Sequence, residues 1–253
     1  MESLLALVDL TGTEFTICTA VIFIAGMVRG FSGFALSAVV MAALVSILPP
    51  VELIAICWFL EFTASLFMVR GGIKDYDKFT VYGLVVGSAS GAPIGYYLTN
   101  TLPIETSKII ALVIILVLAV LQLLKVRASI LATKPGVILS GITAGIAAGL
   151  AGVGGMMTAL YVLARDSSVE TMRGSLIMYL FMMIPFGLFY QIYFGLMDIQ
   201  AVIRGLIWVP VSFTGVIAGN MMFSQKYAPY YKPFCLALLM VLAAVGLARM
   251  VIA

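Results

Sequence analysis

Apolar side chains run through this chain in long unbroken blocks, at about 15–48, 53–69, 79–99, 106–124, 135–164, 172–194, 201–222 and 233–251. Polar and charged residues collect in the short stretches between them. Blocks of this length predict helices that cross a lipid bilayer, for which about 20 apolar residues suffice. The expected fold class is an all-α polytopic membrane protein. Two blocks are too long for one crossing. An unbroken helix over 15–48 would measure about 50 Å at 1.5 Å per residue, against a hydrocarbon core of about 30 Å. Each long block carries a candidate break: Gly30-Phe31-Ser32-Gly33 in the first, and Gly149, Gly152, Gly154 and Gly155 in the second. Both are expected to be broken or re-entrant helices.

The two glycine clusters begin a series of correspondences at a nearly constant offset. Pro50-Val51-Glu52 resembles Ser168-Val169-Glu170, and Ile73-Lys74-Asp75 resembles Leu196-Met197-Asp198. Gly83-Leu84 then falls opposite Gly205-Leu206, and Gly91 with Gly95 opposite Gly215 with Gly219. The matches keep their order along the chain, which scattered glycines do not explain. Two repeats of about four helical segments are expected, 1–127 and 128–253, forming one membrane domain.

Composition removes several function classes. Of 253 residues, 63% are hydrophobic and 10% charged, so lipid is the solvent for most of the chain. The formal charge of +3 comes from 14 basic and 11 acidic residues spread singly, without the basic face of a nucleic-acid binder. The expected partners are membrane lipid and a small anionic substrate, no nucleic acid, with a homodimer as a further expectation. Cys18, Cys57 and Cys235 lie in apolar blocks without paired spacing, so neither disulfides nor a metal site nor any cofactor is expected. Glu2, Asp9 and Glu14 precede the first basic residue, Arg29, the reverse of a cleavable signal. Met1 is expected to be retained.

Lys and Arg in short loops stay on the cytoplasmic side. With both long blocks as returning hairpins and the N-terminus outside, Lys108, Arg204 and Arg249 fall outside. The other loop cations, among them Arg70, Lys74, Lys78, Lys134, Arg165 and Arg173, fall inside. No single-crossing model gives so strong a bias. A returning hairpin plus three crossings is an odd number, so the second repeat would be inverted, as in many transporters.

Arg29 and Glu61 are the charges inside apolar blocks, and an ionisable residue at such depth is a functional candidate. Arg29 offers a planar fork of donors to an oxyanion, whereas Glu61 is expected to couple transport to protons, since apolar surroundings favour a neutral carboxyl. The alternative is a structural pair in which each neutralises the other. Gly30, Phe31, Ser32 and Gly33, with Gly152, Gly154 and Gly155, are expected to complete substrate binding through freed backbone amides. The Gly141, Gly145, Gly149 stripe and the Gly91/Gly95 and Gly215/Gly219 pairs read as helix packing. Pro93, Pro185 and Pro210 read as kinks, Arg173 as a cytoplasmic anchor, and Trp208 as an interfacial aromatic. Gly30-Phe31-Ser32-Gly33 also fits the surroundings of an intramembrane protease nucleophile. The chain has no His to take the hydroxyl proton, and no Lys within a span, so such a protease is excluded, and no enzymatic activity is expected.

Arg29-Gly30-Phe31-Ser32-Gly33-Phe34, Glu61, Gly91 through Gly95, Gly149 through Gly155 and Met172-Arg173 together resemble the TauE/SafE sulfite exporter family of permeases. Ala35 stands where one branch of that family has glycine, and Gly155-Met156-Met157 replaces its usual Gly-Pro-Pro. The resemblance implies a secondary transporter that moves sulfite, sulfoacetate or another small sulfur-containing or organic anion across the inner membrane, with proton-coupled export by alternating access. A passive anion channel, or an uptake permease for an inorganic or carboxylate anion, is the alternative.

Overall fold

The structure, a computed structural model, describes residues 7–124, 133–164 and 168–222 and scattered helical residues between 237 and 248. All the described regular structure is helical. Helices α1 (Gly12–Ser32) and α2 (Leu36–Leu44) share the first long block, and α6 (Lys134–Ala151) and α7 (Gly154–Ala164) share the second. Between and after them lie α3 (Pro50–Gly72), α4 (Lys78–Thr101), α5 (Ile104–Leu123), α8 (Val169–Tyr193) and α9 (Ile199–Met221). Among the described residues α1, α3, α5, α8 and α9 are long and apolar enough to cross a membrane. α4 has the length, but its glycines and serines dilute its hydropathy.

Local chemistry sets the ends. Thr11 and Glu14 form a capping box at the start of α1, with the Thr11 amide donating to the Glu14 carboxylate at 2.9 Å. Pro50 occupies the first turn of α3, where its missing N–H is harmless. The Asp77, Thr133, Ser168 and Asp198 side chains cap α4, α6, α8 and α9. α1 and α6 each stop at a left-handed glycine, Gly33 (φ 84°) and Gly152 (φ 69°), a conformation L side chains resist. The expected breaks fall at these residues. Helices α4, α8 and α9 continue through Pro93, Pro185 and Pro210.

Glycines fix the packing. On α1, Gly26 and Gly30 lie against the backbone of α9 at Ser212 and Val216, and Gly215 and Gly219 of α9 lie against Phe23 and Met27 of α1. The same arrangement joins α4 to α6: Gly87, Gly91 and Gly95 meet Ile138, Ile142 and Ile146, while Gly141 and Gly145 meet Leu84 and Ser88. Lipid offers no hydrophobic drive between helices, so such close backbone approach supplies the association through dispersion and hydrogen bonding. The Ser88 hydroxyl donates to Gly141 O at 2.9 Å, and the Thr99 hydroxyl to Gly149 O at 2.8 Å.

Three assignments made from sequence change. Trp208 is 1% exposed, with its indole N–H donating to Thr19 at 3.2 Å and its ring stacked on Phe15, so it is a core residue rather than an interfacial one. Arg204 is no loop cation. It is buried in α9, paired with Glu52 of α3 and donating to the Val8 carbonyl at 2.9 Å. Arg173, read as an anchor, is part-buried and bonded to the end of α1. Lys125, Arg127, Arg165, Lys226, Lys232 and Arg249, which the charge tally used, and the 127/128 repeat boundary lie outside the described residues.

Candidate functional site

A cavity of about 110 Å³ lies where the two breaks meet. Ala35, Ser37 and Ala38 form one wall and Gly152 through Met156 another, and a methyl placed on Gly152 would sit 3.7 Å from the Ser37 side chain. The first break therefore touches the second. α3 contributes Ile54, Cys57, Trp58 and Glu61, spaced as one helix face, and α8 contributes Tyr179, Leu180, Met183, Ile184, Gly187 and Gln191 in the same way. Ala92 and Tyr96 of α4 close the site. On the long helices the lining runs from mid-helix positions such as Glu61 and Tyr179 to Ile54, Tyr96 and Gln191 nearer the helix ends. One water needs roughly 10–15 Å³ of such space, so the cavity holds a small ion with a few waters.

Charge at the first break is arranged asymmetrically. The carbonyls ending α1 are taken: Arg173 donates to Gly30 O at 2.7 Å and Phe31 O at 3.2 Å, Ser32 to Val28 O at 2.7 Å, and Arg29 to Gly33 O. Cations here oppose the negative end of the helix dipole. α2, by contrast, opens on Ala35, which has no side chain to cap it, and α7 follows the equally apolar Val153. Two amino-terminal helix ends thus face one cavity. In α2 the amides of Leu36, Ser37 and Ala38 precede the first backbone bond, Val39 N–H to Ala35 O, and in α7 those of Gly154 and Gly155 do, since the Met156 amide already donates to Val153 O at 3.0 Å.

Glu61 is the carboxylate on the cavity wall, and its side chain is 16% exposed. One oxygen accepts from Arg29 Nε at 2.9 Å, the other from the Ser37 hydroxyl at 3.0 Å. Arg29 is fully buried behind it, outside the cavity lining, with its remaining donors on Ser65 Oγ at 2.9 Å and Gly33 O. The charge pair therefore ties α1 to α3, while the carboxylate alone meets the cavity. Among the described residues no cluster of carboxylates and thiols is placed to hold a metal ion.

Residues 18–246 match the family model described as Sulfite exporter TauE/SafE. The chain belongs to this family. No curated protein and no solved structure matches it. A TauE/SafE protein is a multi-pass membrane transporter and not an enzyme, in keeping with the apolar spans.

In this TauE/SafE chain the sequence-selected residues separate into two groups. Gly152, Gly154, Gly155 and Glu61 line the cavity. Gly30, Phe31, Ser32 and Gly33 with Arg29 form the framework of the break behind it: Gly30 packs on Val216 and Asn220, and Ser32 bonds to Val28 O and to Phe34 O at 2.8 Å. Sequence reasoning missed Ser37, Trp58, Tyr96, Tyr179 and Gln191. Tyr96 and Gln191 carried a usable signal, because an uncharged polar group inside an apolar block needs a partner as a charge does. Ser37 carried none; only the fold brings it to Glu61.

Proposed function

We propose that this protein is a secondary transporter exporting small sulfur-containing or organic anions, such as sulfite or a sulfonate, across the inner membrane. Two inverted repeats alternate access to the cavity, and Glu61 exchanges the coupling proton. The observation that carries the reading is the convergence of two uncapped helix starts and one arginine-held carboxylate on a single small cavity. Amide ends attract an anion, and discontinuous helices at a central site are how transporters of repeat architecture bind ions. The repeat is supported by the crossed packing: the main piece of each broken helix is clamped by glycine contacts to the third span of the other half, α1 on α9 and α6 on α4. Arg29 then acts as a positioning residue, holding the Glu61 carboxylate and the α1 end in register.

The test is flux from proteoliposomes loaded with sulfite, sulfoacetate, taurine or acetate under an imposed pH gradient. Saturable flux that follows the gradient, and loses that dependence in Glu61→Gln, is the expected result. Non-saturating flux indifferent to the gradient identifies a passive channel and overturns the reading.

A further inference from the structure

Gln191 is 2% exposed, lines the cavity, and leaves its Oε1 without a partner among the described residues. Its Nε2 reaches the Tyr96 hydroxyl at 3.4 Å. Burying an amide so poorly satisfied is unfavourable by a few kcal/mol in an apolar setting, so the side chain is suited to a ligand that complements it. The two amide ends have nearly the same shape and can exchange places. With the amide turned, Oε1 accepts from Tyr96 O–H and the NH₂ is left as a donor.

The electrostatics of the same cavity limit what that donor meets. Glu61 is the formal charge on the described lining, and Arg29 balances it from behind. What remains is the two open helix starts, each equivalent to roughly half a positive elementary charge, set against the carboxyl end of α6, which closes at Gly152 on the same lining. Together they offset at most about one negative charge. A dianion would leave one charge uncompensated beside Glu61, in a wall made largely of Ile54, Trp58, Leu180, Met183 and Ile184.

We propose that the cavity selects monoanionic oxyanions over dianions, with its charge matched to the paired amino ends of α2 and α7 and the Gln191 amide, oriented by Tyr96, as the neutral donor that fixes the ligand. The inference rests on the anion-cavity reading above and adds the charge state of the cargo and the residue that recognises it. Sulfite would be carried as bisulfite, and an alkyl sulfonate or a carboxylate would fit the same seat.

Methanesulfonate and sulfate separate charge from shape, since both are tetrahedral at sulfur and expose sulfonyl oxygens, but one bears a single charge and the other two. Binding of each to the purified full-length protein is measured by calorimetry and by thermal shift. Methanesulfonate is expected to bind at least about ten-fold more tightly than sulfate. Gln191→Leu, of similar size, is expected to weaken methanesulfonate about ten-fold or more, the usual consequence of losing a hydrogen bond to a charged group. Gln191→Glu is expected to weaken it further and to recover at low pH, when the new carboxyl is protonated. Tyr96→Phe tests the orienting bond should the Leu variant fold poorly, and is expected to weaken binding with little change in melting temperature. Equal affinity for the two anions overturns the charge selection. Wild-type affinity in Gln191→Leu and Tyr96→Phe overturns the role of Gln191 while leaving an anion cavity intact. If wild type binds no anion, the cavity reading itself fails, and this inference with it.

Discussion

Replacing Glu61 by Gln tests the central charge arrangement most directly. The change keeps size and one acceptor but leaves Arg29, which is fully buried, without a counter-charge. Removing one partner of a buried pair costs about 3–5 kcal/mol, since the remaining ion stays desolvated. The retained bonds from Arg29 to Ser65 and Gly33 O place the expected loss near the lower end, about 3 kcal/mol. For a chain of this size that corresponds to a fall of roughly 6–12 °C in melting midpoint. Arg29→Met should cost less, because Glu61 stands at the cavity wall and keeps Ser37. The double variant Arg29→Met/Glu61→Met should regain most of the loss, as buried pairs replaced by apolar residues often do. The assay is thermal unfolding in detergent, read as a double-mutant cycle. A Glu61→Gln protein melting within about 2 °C of wild type would refute the compensation argument, because Arg29 would then need no charge from Glu61.

Two further predictions concern the frame. Gly141→Ala in α6 would set a methyl 2.6 Å from the Leu84 carbonyl and 2.9 Å from the Gly87 Cα, both backbone, whereas Gly71→Ala in α3 would meet nothing within 4 Å. Helix propensity alone makes both changes stabilising by about 1 kcal/mol; the packing instead makes Gly141→Ala destabilising by about 1–3 kcal/mol, so opposite shifts in melting temperature are expected. At the other charge pair, Glu52→Gln should release Arg204 and the Val8 and Asp9 carbonyls it holds, seen as faster proteolysis ahead of α1 with the anion affinity of the cavity unchanged.

Helices and breaks were legible because each rests on local chemistry. The apolar blocks set the spans to within a few residues, and glycine is the residue that tolerates the left-handed turn closing α1 and α6. Ala35 is informative too, since it adopts φ 72°, a left-handed conformation in which a glycine would be unstrained. The glycine stripes were legible as packing surfaces, yet their partners were not: nothing in the Gly141, Gly145, Gly149 spacing says that α4 lies opposite. The site was half legible for the same reason. Glu61 and the second glycine cluster announce themselves by depth and by density, whereas Ser37, Tyr96 and Gln191 become site residues only through contacts between distant segments. Counting Arg204 and Arg173 as loop cations failed because a short guanidinium-bearing stretch beside an apolar block looks the same whether the side chain reaches solvent or turns inward to a helix end or carboxylate.

The packing also specifies where movement must occur if access alternates. α1 and α9 are locked by backbone contact at Gly26, Gly30, Gly215 and Gly219, and α4 and α6 by the equivalent set, so neither pair can slide without losing its fit. α3 and α8 lie between the two clamped pairs and each contributes one face to the cavity wall, which makes their shared face the seam. At its far end, a Cβ on Gly72 would lie 3.0 Å from the Cβ of Ile177, and neither residue lines the cavity. A disulfide needs Cβ atoms about 3.5–4.5 Å apart, so Gly72→Cys with Ile177→Cys can close after a shift of a few tenths of an ångström. The cross-link is expected to stop flux in proteoliposomes while leaving anion binding measurable, and a reductant is expected to restore transport. Full transport with the bond formed would mean that α3 and α8 travel together, and the moving boundary would then have to lie along one of the glycine-packed faces instead.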